Sequence, residues 1–260
     1  KGYYLTMFFN QTSYIGIDLT GRKAFTYAAL DAELKLLALD SGELEDVLSF
    51  VGGQAGAYVA INAPTRPNQG RVRALLESES LTSEKSPLRG ADIRMAEYEL
   101  HQRGIKVAGT PSRAELCPSW MRSGFALYEK LAGLGFLSFP GEDAKYQVLE
   151  THPQAAFIAM TDGNLLPISA LEGRLQRQTI LYGEGLQIHD PMEFFEEITR
   201  HRLRQGVLPV DQIYISTQLN ALLAAYTAWL VSEKTEDTTS LGDEAEGKIY
   251  FPVSELKSRY

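Results

Sequence analysis

Sulfur, long apolar stretches and positive charge are all scarce in this chain. Cys117 is the single cysteine in 260 residues, so neither an intramolecular disulfide nor a cysteine-based zinc site is available. Its natural reading is a small, partly buried side chain. No apolar run approaches the ~20 residues that a bilayer-spanning helix needs. The opening Lys1-Gly2-Tyr3-Tyr4-Leu5-Thr6-Met7 lacks the succession of a secretory signal, and Met7 is a candidate native start. A cytoplasmic setting is expected. Basic residues number 25 against 33 acidic ones, for a net charge of -8 and a pI near 5.1. That argues against a broad, non-specific grip on nucleic acid, which needs a basic face. A local basic groove stays open, because Arg66, Arg71, Arg73, Lys85, Arg89 and Arg94 lie close in sequence. His101, His189 and His201 show no metal-ligand spacing with one another.

What is present is an ordinary globular composition, 44% hydrophobic and 22% charged, in a chain long enough to bury a full core. Residues Tyr14 to Leu19 form a short apolar run and read as a buried strand. After the Gly21-Arg22-Lys23 turn, Ala24 to Leu30 and Leu34 to Leu39 read as two more strands of an antiparallel meander. Helix spacing at Leu44, Val47, Leu48 and Val51 ends at Gly52-Gly53. A strand at Ala57 to Ile61, reached through that helix, is expected parallel to the first. Ala63 to Leu88 reads as a long functional connection carrying the basic cluster. Helices are predicted over Gly90 to His101, Ser119 to Leu134, Gln154 to Met160, Ala170 to Tyr182, Pro191 to Gln205 and Ser216 to Val231. Ile105 to Ala108 and Phe136 to Phe139 read as short extended segments, and Lys145 to Glu150 as the next core strand. Residues 232–247 read as a polar surface loop and 248–253 as a small C-terminal edge strand.

Polar residues sit at the ends of these apolar runs. Asp18 ends Tyr14-Ile15-Gly16-Ile17, Asn62 ends Tyr58-Val59-Ala60-Ile61, and Glu150 ends Tyr146-Gln147-Val148-Leu149. Asn220 lies inside the helical run Gln218 to Tyr226. Functional groups of open α/β sheets gather at the carboxyl ends of parallel strands. Four carboxylates at such places would read as a metal-dependent nuclease centre. Here there are two carboxylates and two amides.

Several motifs occur in a fixed order. They are Gly16-Ile17-Asp18 followed by Thr20, Ile61-Asn62-Ala63-Pro64, Arg89-Gly90-Ala91-Asp92, Glu150-Thr151-His152-Pro153, and Asn220-Ala221-Leu222. Together they resemble a family of uncharacterised bacterial and archaeal proteins classed as predicted nucleases with a ribonuclease H-like fold. The resemblance spans roughly Tyr14 to Trp229. It implies one domain over residues 1–260, with its core at about 13–232. It also implies a mixed sheet, with antiparallel strands one to three plus parallel strands four and five, flanked by helices and carrying a helical insertion. Asp18, Asn62, Glu150 and Asn220 would form the catalytic set. Asp18 and Glu150 would hold Mg2+ or Mn2+. Arg89, Asp92, His152 and Thr20 would contact substrate, with nucleic acid as partner. Family members carry aspartate where this chain has Asn62 and Asn220. An amide oxygen supplies a dipole in place of a charge, and ion pairs at ~4 Å are worth about 4 kcal/mol even at an effective dielectric near 20. The two replacements should therefore weaken metal binding and point to an impaired nuclease.

Plainer roles exist for each residue. Asp18 and Asn62 suit turns, His152 suits a helix start before Pro153, and Asn220 suits a satisfied buried amide. Arg89 and Asp92 suit a surface ion pair. Trp120, Tyr128 and Trp229 read as core rather than as a base-stacking platform. Two other functions compete with the impaired nuclease. One is an inactive binding or regulatory protein on the same fold. The other is a nucleotide-binding phosphotransferase, suggested by Gly16-Ile17-Asp18-Leu19-Thr20-Gly21.

Overall fold

A computed structural model describes residues 11–19, 24–79, 91–142 and 144–260, without the side chains of Glu79, His201 and Leu203. Thr20, the turn at Gly21-Arg22-Lys23, Lys85, Arg89 and the expected helix start at Gly90 lie outside the described residues.

The expected meander forms from β1 (Thr12–Asp18), β2 (Phe25–Leu30) and β3 (Leu36–Gly42), paired antiparallel. Helix α1 (Leu44–Gly52) then carries the chain to β4 (Gly56–Asn62), which pairs parallel to β1 with Asp18 beside Asn62. After α2 (Arg71–Glu79), α3 (Met95–Gln102), α4 (Ser119–Gly133) and the two-residue β5 (Leu137–Ser138), β6 (Tyr146–Thr151) pairs parallel to β4. There follow α5 (Pro153–Met160), α6 (Leu171–Gly183), α7 (Pro191–Glu197), α8 (Ser216–Glu233), β7 (Thr239–Asp243) and β8 (Gly247–Phe251). The described strands form one sheet in the order β3-β2-β1-β4-β6-β8-β7, with β5 alongside β6. This mixed sheet flanked by helices is consistent with the ribonuclease H-like α/β class.

Several sequence expectations give way. Residues 232–247 contain strand β7, and β8 lies between β6 and β7 rather than at the edge. The segment's acidic, polar composition conceals a hairpin in which Gly242 and Gly247 adopt φ of 98° and 95°, values that only glycine takes without strain. Ile105 to Ala108 is not a strand. Ile105 is buried, and the Val107 carbonyl and N–H both meet the His101 ring. The connection after Asn62 includes helix α2, whose weak apolar stripe buries Val72 alone. The helix expected over Gly90 to His101 starts at Met95. The helix expected through Gln205 breaks at Ile198 into a π turn and a short 3-10 turn.

The sheet is covered on both faces, which is why β1 and β4 are apolar almost throughout. Ile15, Ile17, Val59 and Ile61 pack toward α1 and α4. Tyr14, Ala28 and Ala60 face α8. Every residue of α8 from Leu219 to Val231 is buried, as expected for a helix that is hydrophobic all round. Small residues on both sides let α8 lie unusually close to the sheet. A Cβ placed on Gly16 would fall 2.0 Å from the Ala221 carbonyl oxygen and 2.2 Å from the Ala225 nitrogen. That contact brings Asn220 down to the carboxyl ends of β1 and β4.

Gly16→Ala is therefore expected to lower stability by about 3 kcal/mol, the upper end for an overpacked site. A urea unfolding midpoint equal to that of the native protein would contradict this account of the α8 contact.

Candidate functional site

Alternation along β1 and β4 puts Asp18 and Asn62 on the α8 side, one strand apart at the same level. Asp18 is fully buried. Its Oδ1 accepts from Asn62 Nδ2 at 2.5 Å and from Asn220 Nδ2 at 3.4 Å. The two amides present their N–H groups to this carboxylate. Asn62 and Asn220 line a cleft of about 320 Å3, whereas Asp18 lies behind them and does not line it. The Oδ1 of Asn220, which is 9% exposed, has no hydrogen-bond partner among the described residues.

Glu150 also reaches the cleft but serves a different partner. Its two oxygens accept from both terminal nitrogens of Arg94, at 2.8 and 2.5 Å, and Oε2 also accepts from the Thr65 backbone N–H at 2.9 Å. Arg94 Nε donates to Glu97 at 2.9 Å, and its Nη1 donates to the Glu246 carbonyl at 3.2 Å. Glu97 is held in turn by the backbone N–H and the hydroxyl of Thr110. Arg94 is 1% exposed, Glu97 and Glu150 3% each. Such a planar fork satisfied on every side is the arrangement that makes a buried guanidinium tolerable. Burial lowers the Arg94 pKa, but attraction to Glu150 and Glu97 more than offsets that and holds it above its ordinary value. Burial pushes the Glu150 carboxyl up; Arg94 and the Thr65 N–H only partly reverse this, and Glu97 adds a smaller upward push.

A fourth carboxylate, Glu246, is fully buried. It accepts from the backbone N–H groups of Gln69, Arg71 and Met95. Arg71 and Met95 begin α2 and α3, so Glu246 caps two helix starts, where a negative charge is favoured. Sequence reading placed Arg94 in the basic cluster and passed over Glu97 and Glu246. The Arg94-x-x-Glu97 spacing was the available signal for the first. Glu246, inside an apparent surface loop, gave none.

The remaining candidates separate. His152 lines the cleft and starts α5, its Nδ1 accepting from the Ala155 N–H at 3.2 Å. Burial lowers its pKa to about 4. Asp92 accepts from Asn68 Nδ2 and the Ser112 N–H, fixing loops away from the cleft. Arg71 pairs with Asp243 at 3.0 Å. Of the basic cluster in the sequence, Arg94 is buried and Arg71 is paired, while Lys85 and Arg89 lie outside the described residues. Trp229 is in the core, its Nε1 donating to the Ala32 carbonyl, and the hydroxyl of partly buried Tyr128 lies 3.3 Å from the Ala63 and Leu149 carbonyls. Trp120 is partly buried against the core, as expected, and also lines the cleft. Cys117 is buried, and burial raises its pKa.

Magnesium and manganese favour charged oxygens with open coordination positions. Here Asp18 meets amide N–H groups, and both Glu150 oxygens meet a guanidinium. Among the described residues, no three or more His, Cys, Asp or Glu side chains are grouped to hold a metal. This donor set does not fit a Mg2+ or Mn2+ ion held by Asp18 and Glu150.

The fold and the strand-end site define a mixed α/β protein, consistent with the ribonuclease H-like class. The chain belongs to DUF429, a family of proteins of unknown function, whose family model matches residues 16–247. Searches of curated proteins and of solved structures returned no match. Among the described residues no helix is long and apolar enough to cross a membrane.

Two outcomes are expected. Arg94→Met should lower stability by about 3–5 kcal/mol in urea unfolding, because it strands two buried carboxylates. His152 takes up its proton more readily unfolded, near 6.5, than folded, near 4, so its stabilising contribution is complete above pH 6.5 and lost as pH falls toward 4. This contributes about 2 kcal/mol of stability lost between pH 7 and pH 5. His152→Asn keeps a capping side chain and should flatten that part of the stability-pH profile.

Proposed function

We propose that this chain is a metal-independent ligand-binding protein on a ribonuclease H-like fold, in which the carboxylates of the nuclease centre are held by the chain's own groups. One observation carries the reading: both carboxylates expected to hold metal are already engaged by the chain itself. Asp18 is covered by the Asn62 and Asn220 amides, and Glu150 is engaged by Arg94. Binding a divalent cation would require breaking those contacts, and leaving the Arg94 guanidinium buried without its partner carries a penalty of several kcal/mol.

The phosphotransferase alternative needs a glycine loop open to phosphate. Gly16 instead receives the backbone of α8, so its missing side chain serves packing.

The test is calorimetric titration of Mg2+ and Mn2+ into the native protein, Asp18→Ala, and the double variant Asn62→Asp with Asn220→Asp. The native protein is expected to show no sub-millimolar binding and no cleavage of single- or double-stranded DNA or RNA. The double variant should gain affinity, since two charges replace two dipoles around Asp18. Sub-millimolar binding by the native protein that disappears in Asp18→Ala would overturn the proposal and restore the nuclease.

A further inference from the structure

The cleft's ligand chemistry can be read from which of its polar atoms are already committed. Its charged lining consists of one guanidinium, Arg94, and two carboxylates, Glu97 and Glu150, all joined in a single buried network. Among the described lining residues no cation is left to meet an anion, and the balance of lining charge is negative. An anionic ligand would enter without a partner.

The uncommitted capacity belongs to neutral groups. Asn220 Oδ1 is a buried acceptor without a partner among the described residues, a position that normally demands a donor. His152 accepts through Nδ1 from the Ala155 N–H, which puts its ring proton on Nε2 as a donor. Gln154 Oε1 accepts from Arg177 at 3.0 Å, which leaves its amide N–H groups as further donors. All three residues line the cleft. The walls between them are apolar, with Trp120, Met121, Ile168 and Ile249. A volume of about 320 Å3 is at the small end of ligand sites, which run from about 300 to 1,000 Å3.

The geometry points to an uncharged, flat ligand with neighbouring donor and acceptor atoms, a nucleobase-like heterocycle or an aromatic amide, held by Asn220, His152 and Gln154 between apolar walls. The ligand N–H donates to Asn220 Oδ1, and its carbonyl or ring nitrogen accepts from His152 Nε2 or Gln154. Trp120 supplies a large aromatic surface at low conformational cost. This inference rests on the metal-independent reading of the same cleft and names the chemistry that the cleft selects.

The experiment uses the full chain with adenine, benzamide and benzoate, each up to about 10 mM, where a millimolar Kd still registers. Thermal shift reports binding, and the side-chain amide resonances of 15N-labelled protein report its location. Adenine or benzamide should raise the melting temperature and move the Asn220 side-chain signals. Benzoate has the same shape as benzamide but carries a charge, and should bind at least about tenfold more weakly. Asn220→Leu should weaken benzamide by about tenfold. Ile168→Trp fills the cleft without touching a polar group and should abolish binding in a folded protein, so the test survives if the Asn220 variant is unstable. Benzoate binding as well as benzamide, binding unaffected by Ile168→Trp, or no response to either neutral probe would overturn the inference. If the neutral probes fail and the metal titration is also blank, only this inference falls. If metal binds at Asp18, the reading beneath it falls instead.

Discussion

Everything around the cleft depends on keeping one guanidinium charged and satisfied in a dry place. Arg94 ties β6 through Glu150, its own helix through Glu97, and the last hairpin through the Glu246 carbonyl. These elements are far apart in sequence, and the Glu246 carboxylate adds a second buried anchor between the hairpin and α3. A buried ion network is not in itself a large source of stability. Its effect here is to fix relative position, because each carboxylate has a single arrangement that satisfies both itself and the arginine. The cleft wall formed by Arg94, Glu97 and Glu150 is therefore set by charge geometry, while the opposite wall, at Asn62 and Asn220, is set by the close approach of α8 to β1.

The two halves solve the same problem by different means. A carboxylate at a strand end in a covered sheet must be neutralised. At Glu150 the compensating group is a cation; at Asp18 two amide dipoles contribute. Neither solution needs anything from outside the chain. The substitution of amides for acids at positions 62 and 220 is thus coherent with the rest of the site. Two aspartates there would place three carboxylates around one buried point.

Much of the fold was legible in the sequence because covered strands and the buried helix announce themselves as apolar runs. The meander, the parallel β4 and β6, and α8 follow from Tyr14 to Leu30, Ala57 to Ile61, Lys145 to Glu150 and Leu219 to Val231. The meeting of Asp18, Asn62 and Asn220 was legible too, since polar residues ending apolar runs have few other places to go. What stayed hidden were groups whose partners are distant. Arg94, Glu97 and Glu246 look like surface charges until the fold brings them together, and a string of letters does not distinguish a solvated carboxylate from a capped one. The hairpin of β7 and β8 was hidden for a related reason: its polarity suggested water, whereas Glu246 turns inward to two helix starts. Helix α2, with Val72 as its one buried residue, offered too little periodicity to register.

The position of Glu246 also has a consequence for the order of events during synthesis. The chain emerges from its amino-terminal side, so β1, β4, Arg94 and Glu150 are all present long before residue 246. Until then the starts of α2 and α3 lack the carboxylate that receives their backbone N–H groups, and Arg94 lacks one of its acceptors. The cleft is consequently completed only once the stretch around Glu246 has appeared. A nascent chain can assemble the sheet's centre before this wall of the cleft is anchored.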